Sequence, residues 1–298
     1  MKNNFENCPI CNNSNIPLLN SFEKLFLAKC QNCDFIFDKR IPSENELIEH
    51  YKIYAYSQLK PLPNLTRVSY HKLLDTFEQY RGSGNILDIG CGQGDFLVEA
   101  KKRNWKVYGT EYSRAAVKLC KERDINMYQG ELNQESFSGL DFDVITSFEV
   151  IEHINNPNDF MSEANNKLRK SGLFYCTTPN FNSILRNFEK SKFKMICYPE
   201  HISFYTKQSI KHLGKSHNFH SIKTQTTGID IGRLKNAFKK DKQIHNAHEN
   251  RVRFKQTNET IRNLASSNPV VGIVKNIINF LLSIAGKGDT LKVYWIKK

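Results

Sequence analysis

Leu87-Asp88-Ile89-Gly90-Cys91-Gly92-Gln93-Gly94-Asp95-Phe96-Leu97 is the stretch on which the reading of this chain turns. A short apolar run, Asn85–Ile89, breaks into a glycine-rich loop, and the loop opens directly into an amphipathic stretch, Phe96–Arg103. This is the pattern of a strand, a tight turn and a helix N-terminus, where backbone N–H groups and glycines allow a ligand to approach closely. The spacing is GxGxG; a dinucleotide-binding loop reads GxGxxG, and the position of its third glycine is Asp95 here. Asp88, two residues ahead of the first glycine, suits a ligand carrying an ammonium group better than one carrying a pyrophosphate. Glu111, at the end of the next apolar run, stands where a carboxylate can accept both hydroxyls of a ribose.

Outward from this loop, strands and helices alternate. Strands are predicted at 106–110, 126–129, 142–148 and 172–177, and helices at 114–123 and 159–168. A helix at 65–80 precedes the first strand, and a helix at 209–218 and a strand at 221–226 follow. Such alternation predicts an α/β fold, a doubly wound, mostly parallel seven-stranded sheet with helices on both faces. The boundaries read from the chain are 1–60 for a small N-terminal segment, 61–227 for the α/β core, 228–287 for a basic helical insert, and 288–298 for the last core strand.

LDIGCGQGDFL (87–97), VYGTE (107–111) and FDVITSFEVIEHI (142–154) resemble the successive motifs of class I S-adenosylmethionine-dependent methyltransferases. The resemblance covers about residues 65–230 and the final strand. It implies a Rossmann-like sheet, S-adenosylmethionine as cofactor, and methyltransferase activity; the cytoplasm is the expected location because the first residues carry no apolar export signal. Gly90, Gly92 and Gly94 are then expected along the methionine moiety, with Asp88 near its amino group. Glu111 is expected on the ribose hydroxyls and Tyr112 beside the adenine. Glu131 or the backbone of Leu132 would contact the adenine edge, and Phe148 and Glu149 would close the pocket.

The N-terminal segment carries Cys8-Pro9-Ile10-Cys11 and Cys30-Gln31-Asn32-Cys33. Two CxxC knuckles can close a tetrahedral four-thiolate shell around structural zinc, with no open coordination position. A pair of disulfides is the alternative, and it requires an oxidising compartment for which the first residues, lacking an apolar signal core, give no support. The ribbon resembles that of a methyltransferase subgroup with an N-terminal zinc-binding segment. Cys91, Cys120, Cys176 and Cys197 lack such spacing and are read as buried apolar residues.

Two histidines compete for the role of general base. Glu149-Val150-Ile151-Glu152-His153 resembles the ExxEH segment of quinone-type O-methyltransferases, which implies a second divalent metal at Glu149, Glu152 and His153; the alternative is that His153 merely orients its loop. Tyr198-Pro199-Glu200-His201 resembles the acceptor-side segment of zinc-containing sugar methyltransferases, and there His201 would take the proton, oriented by Glu200. His201 is the preferred base.

The net charge of +13 is unevenly placed: residues 181–298 hold 22 Lys and Arg against 7 Asp and Glu. The insert contains the basic runs 233–240 and 251–255 and the apolar stretch 269–284, too short to span a bilayer. It is read first as a lid or oligomer interface, and alternatively as a peripheral contact with the inner face of the membrane. Among partners, a small-molecule or glycan acceptor is expected, a sugar first and a phosphate-bearing one by charge. A quinone-type lipid is the second choice. A zinc-ribbon nucleic-acid-binding protein is a third reading, disfavoured because the insert lacks aromatic-interleaved arginines.

Overall fold

The computed structural model describes residues 4–51, 59–229 and 269–298. Seven strands form the main sheet: β3 (Asn85–Ile89), β4 (Lys106–Glu111), β5 (Asn126–Gln129), β6 (Phe142–Phe148), β7 (Leu168–Pro179), β9 (Phe219–Thr227) and β10 (Thr290–Lys297), in the order β5-β4-β3-β6-β7-β10-β9. The β5-to-β7 part is parallel, whereas β10 runs antiparallel to both β7 and β9. This is the Rossmann-like methyltransferase architecture.

Every residue of β3 and the first six of β6 are buried, as expected for parallel strands covered on both faces. Apolar cover comes from α2 (Asn64–Phe77), α3 (Asp95–Lys101) and α4 (Arg114–Lys121) on one side of the chain order, and from α5 (Pro157–Lys167) and α7 (Lys207–Ser216) later. Ser113 caps α4 by accepting from Ala116 N–H, and Thr206 with Ser209 forms a capping box on α7. β4 lies on one side of β3 and β6 on the other, so the strand order reverses at the carboxyl end of β3, and the crevice that binds ligands in open α/β sheets opens there.

α1 (Glu44–Tyr51) precedes the core, and residues 52–58 after it lie outside the described ones. β7 begins four residues before the predicted strand, and the helix before it ends at Lys167. The basic runs 233–240 and 251–255 also lie outside the described residues. Of the insert, α8 (Pro269–Ala285) is described, and Ile273, Ile277, Phe280, Leu281 and Ile284 on it are exposed. Among the described residues no helix is long and apolar enough to cross a membrane.

A second, three-stranded sheet joins β1 (Leu27–Lys29) and β2 (Ile36–Asp38) to β8 (Ser203–Phe204). The cysteine-bearing segment therefore takes its third strand from the loop that follows β7. Asn158 Nδ2 also donates to the Pro9 and Ile10 carbonyls, and Gln208 Nε2 to Asp34. α6 (Ile184–Glu189) lies within the chain between β7 and β8 and is capped by Ser183, which accepts from Arg186 N–H.

Candidate functional site

The glycine-rich loop combines left-handed backbone with close packing, a pairing that favours glycine. Gly90, Gly92 and Gly94 all have positive φ, at 67°, 54° and 76°. A Cβ on Gly90 would stand 2.7 Å from a Val150 methyl, and one on Gly94 2.6 Å from Ile125 Cδ1 and 2.9 Å from Cys120 Sγ. The loop thus packs hard against the chain behind it while its other side faces the crevice.

Two carboxylates hold this loop. Glu111 Oε2 accepts from Gly92 N–H at 3.0 Å and Oε1 from Ser113 N–H at 3.0 Å, so the acid at the end of β4 is tied to the second glycine. Asp88 is buried and accepts from the Thr146 hydroxyl at 2.7 Å. Burial pushes its carboxyl up to about 8, Thr146 opposing and the Glu111 charge reinforcing the shift. A cationic amino group placed beside it would restore its ionised form.

The other sequence-predicted cofactor residues occupy different settings. Tyr112 is exposed, and its hydroxyl donates to Glu131 at 3.2 Å, which joins those two positions. Leu132 is buried in the core, and Phe148 stacks among Tyr70, Phe96 and Tyr175, with ring centroids 5.1–5.8 Å apart. Glu149 has a left-handed φ of 54°, and its N–H donates to the Thr177 carbonyl at 3.0 Å. The residue is exposed to solvent while protein crowds its carboxyl. That desolvation raises its carboxyl, partly offset by the Thr177 hydroxyl and Lys292.

The two candidate bases, treated as rivals on sequence, lie side by side. The His153 and His201 rings are edge to face with centroids 4.7 Å apart. His153 Nδ1 sits 2.8 Å from the Glu200 carbonyl and His201 Nδ1 2.9 Å from the Met195 carbonyl. A carbonyl can only accept, so each Nδ1 carries the proton, and each neutral ring keeps its lone pair on Nε2. Burial lowers both: His153 to about 4, with the neighbouring His201 adding to the shift, and His201 in the same direction, partly opposed by the Met195 carbonyl and by Glu200. Both are neutral, Nε2-basic imidazoles near pH 7.

Glu200 orients His153 through its backbone carbonyl. Its own carboxylate faces Cys197 Sγ at 3.6 Å and His50 Nε2 at 3.4 Å. The segment is a turn: the Glu200 and His201 N–H groups both donate to the Cys197 carbonyl. Glu152 is buried, accepts from the Thr178 hydroxyl at 2.9 Å, and is held well above the usual carboxylate range by burial and the nearby Glu149 charge. The expected metal trio was Glu149, Glu152 and His153. The ligand atoms that the structure gathers within 4.8 Å are those of Glu152, His153 and His201, so His201 stands where the sequence placed Glu149.

The four knuckle cysteines converge: Cys8 Sγ lies 3.6 Å from Cys33 Sγ, and Cys11 Sγ 3.5 Å from Cys30 Sγ. These distances exclude S–S bonds of about 2 Å. They match the edge of a tetrahedron of sulfurs at the usual zinc–sulfur distance, about 3.8 Å. The Cys33 hydrogen bond lowers the Cys8 thiol, and the same bond, with burial, raises Cys33. Asn32 N–H donates to Cys30 Sγ at 3.4 Å, as knuckle backbones do toward ligating sulfur. The donor set fits one structural zinc ion.

Sequence reasoning missed what this cluster supports. Asp38 N–H, at the end of β2, donates to the Ile202 carbonyl at 2.8 Å, and Ile202 N–H donates to the Glu152 carbonyl at 3.0 Å. Arg40, paired with Asp38 at 2.6 Å, stacks 3.9 Å over the Tyr198 ring. The ribbon is therefore wired by backbone to both histidine-bearing segments. A two-residue strand such as β8 leaves no periodicity to detect.

With this geometry in place, comparison with known proteins is informative. Residues 64–224 match the family model described as "Methyltransferase domain", more than half of the chain, and the protein belongs to that family. Its sheet and cofactor loop are those of the class I S-adenosylmethionine-dependent methyltransferases. It is similar to a probable S-adenosylmethionine-dependent methyltransferase of Mycolicibacterium smegmatis, 29% identical over 131 residues, which are 41% of this chain and 50% of the relative. It is also similar to the mitochondrial ubiquinone biosynthesis O-methyltransferase of Saccharomyces cerevisiae, 26% identical over 151 residues, 48% of this chain and 46% of the relative. The chain thus spans about half the length of these curated relatives. Among solved structures, a SAM-dependent methyltransferase from Archaeoglobus fulgidus aligns with a TM-score of 0.51 at 17% identity, covering 84% of this chain and 99% of that one. Phosphoethanolamine N-methyltransferase 2 of Haemonchus contortus, in complex with S-adenosyl-L-methionine, aligns with a TM-score of 0.51 at 19% identity, over 86% of this chain and 57% of that one. At these identities the structural matches establish the fold.

Proposed function

We propose that this protein transfers a methyl group from S-adenosylmethionine to a hydroxyl of a polar small-molecule or glycan acceptor, a sugar in first place. The observation that carries the reading is the His153–His201 pair: two neutral imidazoles with basic Nε2 atoms on the segments that follow β6 and β7, at the carboxyl edge of the sheet. The acceptor oxygen attacks the sulfonium methyl carbon, the carbon–sulfur bond breaks, and S-adenosylhomocysteine leaves. The hydroxyl proton passes to an imidazole of the pair, His201 first. The remaining contribution is to align donor and acceptor and to exclude water.

The donor would lie over Gly90, Gly92 and Gly94, with Asp88 toward its amino group, Glu111 at the ribose hydroxyls and Tyr112 and Glu131 at the adenine edge. The four cysteines would hold a structural zinc, whose role is to brace the histidine segments.

A polar acceptor is favoured by the ionisable side chains carried on the segments after β6 and β7, where Glu152, His153 and His201 converge and Glu200 adjoins His201. The cationic excess over 181–298 favours an acceptor that carries phosphate. A quinol acceptor is the second reading, supported by the name of the yeast relative. The test is a donor-consumption screen against nucleotide sugars, glycans and quinols. Consumption with the sugar set, abolished in His201→Ala while donor binding persists, is the expected result. Turnover with quinols alone would reassign the acceptor.

A further inference from the structure

Cys197 does not behave as the buried apolar residue its isolation in the sequence implies. It is half-buried, and its sulfur faces the Glu200 carboxylate. We propose that Cys197, Glu200 and His201, with His50 beside them, form a binding site for a divalent transition metal of the zinc class, separate from the four-cysteine cluster.

The ligand atoms of Cys197, Glu200 and His201 all lie within 4.8 Å of one another. Two contacts already have the spacing of a coordination shell: Cys197 Sγ to Glu200 Oε2 at 3.6 Å and His50 Nε2 to Glu200 Oε2 at 3.4 Å. Ligands at usual zinc distances around a tetrahedron stand about 3.3–3.8 Å apart. The groups come from two parts of the chain, α1 and the turn after β7, and the Cys197 carbonyl pins that turn by accepting from both Glu200 and His201 N–H. His201 is oriented as metal-bound histidines are, with Nδ1–H on a backbone carbonyl and the lone pair on Nε2. A thiolate, an imidazole and a carboxylate select zinc or cobalt over magnesium or calcium, which prefer oxygen throughout.

This set shares His201 with the Glu152–His153–His201 group but differs from it in kind, since it brings sulfur. Three or four protein ligands at the mouth of the acceptor side leave room for an acceptor oxygen, and a bound hydroxyl would be acidified there. With the metal bound, the one lone pair of His201 is taken, so the proton would pass to the other imidazole of the pair, His153, and not to His201 as in the metal-free site. That role rests on the methyl-transfer reading above; the site itself does not.

The test uses the full chain with its four-cysteine cluster loaded with zinc, titrated with Co2+ and followed by absorption. The wild type is expected to gain thiolate-to-cobalt charge-transfer absorption for one further equivalent. Cys197→Ser is expected to lose that band and His201→Gln to weaken it, with S-adenosylmethionine binding by calorimetry unchanged in both. A wild-type cobalt spectrum indistinguishable from that of Cys197→Ser overturns the proposal. A second measurement needs no variant: Zn2+ is expected to slow alkylation of Cys197 in the wild type, read by peptide mass spectrometry, and an unchanged rate overturns the site. A cobalt band that survives without any donor binding would instead overturn the methyl-transfer reading and leave the metal site standing.

Discussion

Replacing Gly94 by alanine separates two costs that the cofactor loop combines. Gly94 has φ of 76°, and a Cβ there would meet Ile125 Cδ1 at 2.6 Å and Cys120 Sγ at 2.9 Å. The left-handed conformation costs an alanine about 1–2 kcal/mol. Forcing a methyl into a packed core adds about 1–3 kcal/mol. Gly84 supplies the control. Its φ of 81° is equally left-handed, but nothing lies within 4 Å of its added Cβ, and it stands at the opposite end of β3 from the cofactor loop. Gly84→Ala should therefore lose about 1–2 kcal/mol. Gly94→Ala should lose about 2–5 kcal/mol, the sum of both effects. Chemical denaturation followed by far-UV circular dichroism gives both values. Calorimetry on the folded variants should show donor affinity kept in Gly84→Ala and reduced in Gly94→Ala. The displaced Cys120 thiol is the one that donates to the Gly92 carbonyl at 3.3 Å, so the loop must move with it. Equal destabilisation of the two variants would refute the packing argument.

Three further outcomes follow from the same geometry. Stripping metal from the four-cysteine cluster, or Cys33→Ser, should abolish turnover while donor affinity holds, because β2 is bonded to the Ile202–Glu152 connection and not to the glycine-rich loop; parallel loss of donor binding in calorimetry would contradict that wiring. For Asp143, burial alone would raise the carboxyl, but the Arg169 guanidinium at 2.6 Å and the Gly82 and Gly84 N–H groups outweigh it and hold it below its ordinary value of 3.8. Its stabilising contribution is therefore present above pH 3.8 and lost as pH falls through the lowered folded value, and Arg169→Ala should cost about 3–5 kcal/mol at pH 7 but progressively less as pH is taken below 3.8 in denaturation experiments. Because burial lowers His153 to about 4 and His201 in the same direction, histidine inflections in kcat/KM should lie below the ordinary value of 6.5, and a step at or above 6.5 in the rate profile would show that the rings are solvated.

The parts of this molecule that were legible in its sequence are those written in local pattern. β3 and β6 are short runs rich in β-branched and aromatic residues, the glycine spacing fixes a turn of positive φ, and Glu111 falls at the end of the next strand. The paired knuckles likewise announced their convergence through spacing alone. What was hidden depends on contacts between distant residues. His153 and His201 are 48 positions apart, so nothing in either motif shows that the two rings touch. Glu200 holds His153 through a main-chain carbonyl, a group that every residue possesses. β8 is two residues long, and its role in binding the ribbon to the acceptor side is set by the partner strand β2, not by its own composition. Phe148, expected at the cofactor pocket from its place at the end of β6, also packs against Tyr70, Phe96 and Tyr175, contacts between distant residues that its own motif does not show.

The net positive charge is concentrated in residues 181–298 of the sequence, whereas Asp88 and Glu111, the carboxylates expected at the donor, precede them. The donor half is the more directly testable. Isothermal titration of the full chain with S-adenosylmethionine should give one saturable site, weakened by Glu111→Ala and by Asp88→Asn and unaffected by His201→Ala. An absence of binding at millimolar donor, or binding indifferent to Glu111 and Asp88, would contradict the account.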